Sequence, residues 1–166
     1  MLRHVYFAYG SNVFPDQMHD RCPGHEVAGL ARLHGFALTF TGHSVTWGGP
    51  VATLVRVPGA AVDGVLYRLT DEHIDTLDGF EGHPSWYLRQ TVELNFLGRS
   101  RLGGGDRPAQ GLVSALTYIQ AFDAPAPAAP RYIDVIQRGY EAHGLHLPPL
   151  LRAATGTFPH RGPLED

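Results

Sequence analysis

The chain has 166 residues, 43% of them apolar and 17% charged, with a formal net charge of −3. That length fits one domain able to bury a core unaided, and the composition excludes a disordered chain. Acids and bases are mixed without a basic block, which argues against nucleic acid as a partner, and no apolar stretch reaches the roughly 20 residues that span a bilayer.

His4 to Tyr9 is apolar and aromatic and is cut off by Gly10-Ser11-Asn12. It is expected to form a buried first strand ending in a turn. Pro15 to Arg21 suits a short helix with proline in its first turn. Val27 to Leu33 and Phe36 to Phe40 suggest two strands, with His34-Gly35 as a hairpin turn between them. Gly42 to Pro50 is a glycine-rich loop carrying Trp47. Val51 to Val57 and Val62 to Leu69 suggest two more strands across Pro58-Gly59. Thr70 then caps a helix with Asp71 and Glu72 in its first turn. Ile74, Leu77 and Asp78 share one side of it, and Gly79 and Gly82 bracket its end.

Tyr87 to Phe96 alternates, placing Leu88, Val92, Leu94 and Phe96 on one face. Gly98 to Pro108 is a loop, and Leu112 to Ile119 a further strand. Ala121 to Pro130, rich in Ala and Pro, resists regular structure. In Arg131 to His143, the residues Tyr132, Val135, Ile136, Gly139 and Tyr140 recur at helical spacing. A short helix follows Pro148-Pro149. Residues 1–154 are expected to form the domain and residues 155–166 a loose tail. The order of elements points to an α+β fold: a small, mainly antiparallel sheet that closes toward a barrel, with helices beside it.

Two segments could carry chemistry. A strand ending in Gly10-Ser11-Asn12 can present consecutive backbone N–H groups to a carboxylate or an oxyanion. An ordinary strand-ending turn uses the same residues. Glu81 stands between Phe80 and Gly82, shortly before Pro84 and Trp86. An acid desolvated among aromatic groups gains a pKa suited to proton transfer near neutrality; a solvated acid at a helix end is the competing reading.

His19, Cys22 and His25 lie three apart, but Pro23-Gly24 breaks any helix that would align them, and no fourth ligand stands near, so no metal is expected. Cys22 is the only cysteine. No internal disulfide can form, and a reducing, cytoplasmic setting is expected. Cys22 reads as a small buried apolar residue rather than a nucleophile. Ser11 lacks a nucleophile elbow, and Gly103-Gly104-Gly105 lacks the ending of a phosphate loop.

Taken together, Tyr6-Phe7-Ala8-Tyr9-Gly10-Ser11-Asn12 with Arg21-Cys22-Pro23 resembles the opening of the gamma-glutamylcyclotransferase family (AIG2-like superfamily). So do Gly64-Val65-Leu66-Tyr67 and Leu77-Asp78-Gly79-Phe80-Glu81-Gly82 with Tyr87-Leu88-Arg89. Ala115-Leu116-Thr117-Tyr118, Pro130-Arg131-Tyr132-Ile133 and Gly144-Leu145-His146-Leu147-Pro148 continue the likeness, in order, over about residues 4 to 152.

The resemblance implies a small mixed barrel flanked by helices with a cavity at one end. It implies conversion of a small gamma-glutamyl compound to 5-oxoproline with release of an amine or amino acid, without cofactor or metal, by a monomer or homodimer. It assigns Glu81 as the catalytic acid/base. It assigns Tyr6, Phe7, Ala8, Tyr9, Gly10, Ser11 and Asn12 to the substrate-binding loop and Tyr132 to the pocket wall. Pro84 resembles the branch acting on gamma-glutamylamines, whereas Tyr9-Gly10-Ser11-Asn12 resembles the other branch, which leaves the leaving group open; glutathione ranks lower. An enzyme removing a gamma-glutamyl protecting group would use the same site. A binding module for a small carboxylate is disfavoured by an acid placed where it would repel its ligand.

Overall fold

The apolar, β-branched runs do form strands, but these are longer and fewer than the glycine and proline signals suggest. The computed structural model describes residues 3–100, 107–108, 111–121 and 124–154. Its strands are β1 (Arg3–Ala8), β2 (Glu26–Ser44), β3 (Gly49–Thr70), β4 (Tyr87–Ser100), β5 (Arg107–Pro108) and β6 (Leu112–Gln120). The helices are α1 (Pro15–Arg21), α2 (Asp71–Glu81), α3 (Pro130–His143) and α4 (Pro148–Ala154), with a 3-10 turn over Ser11–Val13.

Hydrogen bonding runs in the order β2-β3-β1-β6-β4, and β4 pairs back onto β2. Five strands therefore close into a barrel, with β5 added at the β4 edge. All these pairings are antiparallel except β1 with β6. Closure removes the exposed edges that a small open sheet would carry. The α+β barrel expected from the sequence is present.

The expected hairpin at His34-Gly35 is not. His34 pairs with Ala61 and Phe36 with Arg56, so Gly35 stands opposite residues 57–60. The two turn signals, His34-Gly35 and Pro58-Gly59, thus face each other as one bulge inside a continuous β2–β3 ladder. Gly35 sits at φ +80°, a conformation that glycine adopts without steric cost. The real reversal lies within the expected glycine-rich loop, at residues 45–48. It is closed by Gly48 N–H to Ser44 O at 2.8 Å and by Trp47 N–H to Ser44 Oγ at 3.2 Å.

Other boundaries shift as well. β4 continues through Gly98 to Ser100, where a loop is expected. Leu88 is half-exposed although Val92 and Leu94 beyond it are buried, and it is Tyr87 that turns inward. α3 begins one residue early, at Pro130, and stops at Gly144 in a left-handed conformation. Residues 124–129 have no regular structure, as expected, and residues 122–123 and the tail from 155 to 166 lie outside the described residues.

Phe7, Leu66, Tyr67, Leu77, Leu94 and Ile136 are sealed in the core. Thr70 caps α2 in a reciprocal box with His73, its hydroxyl accepting from His73 N–H at 3.3 Å. Among the described residues no helix is long and apolar enough to cross a membrane.

Candidate active site

Register fixes where a site can form. β1 and β6 run in the same direction, with Ala8 at the end of β1 level with Tyr118 near the end of β6; β4 begins beside the end of β6, and the first residues of β3 project past the end of β1. Gly10, Ala52, Tyr87 and Tyr118 therefore meet at one end of the barrel, around a small hollow. Just past β1 the chain tightens into the 3-10 turn, with Val13 N–H bonded to Gly10 O at 3.1 Å. The N–H groups of Ser11 and Asn12 precede that bond and have no carbonyl within the turn to meet. Both residues border the hollow.

Helix α2 delivers Glu81 to the opposite side. Glu81 is the last helical residue, and Gly82 (φ +65°) reverses the chain behind it, with its N–H capping Asp78 O and Gly79 O. The Glu81 side chain is only 17% exposed. Burial pushes its carboxyl up to about 7, against the opposing pull of the Arg21 guanidinium and of a hydrogen bond from Asn12. Arg21 Nη1 lies 3.7 Å from Glu81 Oε1, and Asn12 Nδ2 donates to the same oxygen at 3.4 Å. Both contacts are long, so desolvation prevails.

Asn12 is the hub of this polar layer. Its Nδ2 also donates to Tyr6 Oη at 3.0 Å. Its Oδ1 accepts from Gln17 Nε2 and Arg21 Nη1, each at 3.0 Å. Its carbonyl accepts from the Tyr67 hydroxyl at 2.9 Å. Gln17 Nε2 also reaches Ser11 Oγ at 2.7 Å. The turn is thus gripped by α1 from one side and the barrel from the other.

Aromatic residues form the walls. Burial pushes the phenols of Tyr6, Tyr9, Tyr87, Tyr118 and Tyr132 upward, so all stay protonated. Tyr132 Oη accepts from Ala52 N–H at 3.1 Å, and Tyr87 donates to Ala52 O at 2.6 Å. Tyr118 donates to Asp78 Oδ1, and Arg89 holds Asp78 Oδ2 at 2.8 Å. Outward, the hollow widens into a second, larger chamber, which shares Ser11, Glu81, Tyr87 and Tyr132 with the first. Among the described lining residues of both, Glu81 is the one acid and Arg21 the one cation.

Of the residues singled out in the sequence, Glu81, Tyr6, Tyr9, Gly10, Ser11, Asn12 and Tyr132 converge on this hollow. Phe7 and Ala8 do not border it. Phe7 is fully buried with its ring against Gly64, and the Ala8 carbonyl also abuts Gly64. Arg21, Ala52, Tyr87 and Tyr118 join the site without having been expected there; Arg21, Tyr87 and Tyr118 fall inside segments that carry the family likeness. Cys22 is buried, its thiol pushed up to about 11 by burial. Among the described residues no cluster of three or more His, Cys, Asp or Glu side chains could hold a metal ion.

With this geometry in view, comparison with known proteins is specific. The family model described as "Gamma-glutamyl cyclotransferase, AIG2-like" matches residues 6–133. The chain is 32% identical to mouse gamma-glutamylcyclotransferase over 145 residues, covering 85% of this chain and 72% of the relative. It is 28% identical to rat gamma-glutamylaminecyclotransferase over 141 residues, covering 75% of this chain and 84% of the relative. A solved gamma-glutamyl cyclotransferase structure superposes with a TM-score of 0.78 at 26% identity, over 99% of this chain and 95% of that one. A match from β1 into α3 that spans both the glycine turn and Glu81 means that the chain belongs to the gamma-glutamyl cyclotransferase, AIG2-like family.

Proposed function

We propose that the chain is a gamma-glutamylcyclotransferase in which Glu81 moves the proton and the Gly10–Asn12 turn holds the reacting carbonyl. The observation that carries this reading is a shielded carboxyl, poised at about 7, in one hollow with that turn. A group titrating there serves as base and acid in turn near neutral pH.

The reaction joins two ends of one molecule. The α-amine of the gamma-glutamyl group, freed of its ammonium proton, attacks the γ-carbonyl carbon and closes a five-membered lactam. The carbonyl electrons move onto oxygen, where Ser11 and Asn12 N–H groups receive the charge. The Glu81 carboxylate takes a proton from the attacking nitrogen and passes it to the leaving nitrogen as the old C–N bond breaks. No water, oxidant or metal enters this balance. The barrel end therefore acts mainly by folding the substrate into an attacking pose. The five phenols of the wall stay neutral and so add no charge beside Glu81, and those of Tyr9, Tyr87 and Tyr118 hold the wall rigid by donating to Tyr118 O, Ala52 O and Asp78.

On this reading the partner is a small gamma-glutamyl molecule, and the chain works in the cytoplasm as a monomer or homodimer. The test is 5-oxoproline release, followed by mass spectrometry, from gamma-glutamyl amino acids and gamma-glutamylamines. Glu81→Gln is expected to lower turnover roughly 100- to 10,000-fold while ligand still binds. Ser11→Ala is expected to lose less, because its backbone makes the contact. Full turnover by Glu81→Gln overturns the assignment.

A further inference from the structure

On the cyclotransferase reading the gamma-glutamyl group sits in the inner hollow, and the wider chamber outside it has a chemistry of its own. Its sides carry Trp47 from the β2–β3 turn, Val51 from β3, Phe80 from α2 and Trp86 from the segment before β4. Phe80 is 57% and Trp86 40% exposed, so large apolar faces are left to water at the mouth. These rings are held rather than loose. The Arg21 guanidinium lies 4.4 Å from the Phe80 ring centre. Trp47 packs on Tyr132 at 4.7 Å and lies under Arg131 at 5.5 Å. Trp86 meets Tyr87 edge-on at 6.1 Å.

This chamber shares Glu81 with the inner hollow, which on the same reading puts it beside the departing nitrogen. We propose that it is a leaving-group subsite for an aromatic body, so that preferred substrates are gamma-glutamyl derivatives of aromatic amino acids or arylalkyl amines. The inference rests on the cyclotransferase reading and narrows it. Pre-placed aromatic walls favour a ring by burial and by offset or edge contacts. A cationic leaving group meets the opposite situation: Arg21 is a cation, and Glu81, the one acid among the described lining residues, is committed to proton transfer. A leaving group that carries a free ammonium, such as a polyamine or a lysine joined through its α-amine, therefore finds no counter-charge.

The experiment compares kcat/KM for 5-oxoproline release by the full chain from gamma-glutamyl-phenylalanine, gamma-glutamyl-phenethylamine, gamma-glutamyl-alanine and Nα-(gamma-glutamyl)-lysine, which keeps a free side-chain ammonium. Both aromatic substrates are expected to exceed the alanine one by about tenfold, chiefly through KM, and the lysine one to trail it. Phenylalanine over phenethylamine assigns the subsite to amino acids, and the reverse order to amines. Phe80→Ala and Trp86→Ala, at partly exposed positions, are each expected to shrink the phenylalanine-to-alanine ratio severalfold. A wild-type ratio near one, or a ratio that neither variant moves, overturns the subsite while leaving the reaction standing. Absence of 5-oxoproline from all four substrates removes the reaction itself, and the subsite with it.

Discussion

Glu81 is set between two opposing influences, and their balance can be shifted by one substitution. Burial raises its carboxyl, and the Arg21 charge lowers it. Arg21→Gln removes the lowering charge and leaves the burial, so the carboxyl should titrate above about 7, its position in the wild type. If Glu81 must be ionised to accept the proton, the acid limb of the kcat/KM–pH profile moves to higher pH in Arg21→Gln. A profile that stays in place, or moves down, would separate Arg21 from the titrating group. At this scale the sequence was partly legible. Glu81 could be singled out beside its aromatic neighbours, but a solvated acid at a helix end fitted the same residues, and only the family likeness favoured a role for it. The role of Arg21 could not be read, because it depends on α1 folding back so that one guanidinium meets Asn12, Phe80 and Glu81 together.

The elements hold the turn at short range, and α3 packs across it with no room for a side chain at Gly139. A Cβ at Gly139 would stand 2.5 Å from Val13 Cγ2 and 2.6 Å from Phe14 N. The second of these is backbone, which cannot swing aside. Gly139→Ala should therefore push α3 off the turn, even though alanine favours a helix interior by roughly 1 kcal/mol over glycine. Lower thermal stability with a disproportionate loss of turnover is expected, since Tyr132 on α3 lines the hollow and Tyr140 donates to Tyr9 O at 3.3 Å. A stabilised, fully active variant would show that the helix has room to shift. Helical periodicity revealed α3 and its buried face, with Tyr132, Ile136, Gly139 and Tyr140 inside. It could not reveal that Gly139 is a contact point. The same limit explains β2 and β3: glycine and proline signal a break in a strand, but only the partner strand decides between a turn and a bulge.

For the molecule as a whole, the site is a cost placed at the end of a stable barrel. Closure of β4 onto β2 supplies the frame, and burial of Glu81 opposes it. In the unfolded chain this carboxyl titrates at 4.5, and in the folded protein at about 7. Between those values the folded state retains a proton that the unfolded state has released. Stability contributed at this position is therefore highest at and below about pH 4.5, falls as pH rises toward 7, and levels off beyond. The full span corresponds to about 3 kcal/mol, taking roughly 1.4 kcal/mol for each pH unit between the two values. Glu81→Gln cannot ionise and escapes this loss. Relative to wild type it should gain stability on going from pH 5 to pH 8, by up to about 3 kcal/mol in denaturant unfolding, while losing activity. A relative stability that does not change with pH would mean that Glu81 is as well solvated in the folded protein as in the unfolded chain. The desolvation on which both the proposed proton transfer and the pH profile depend would then be absent.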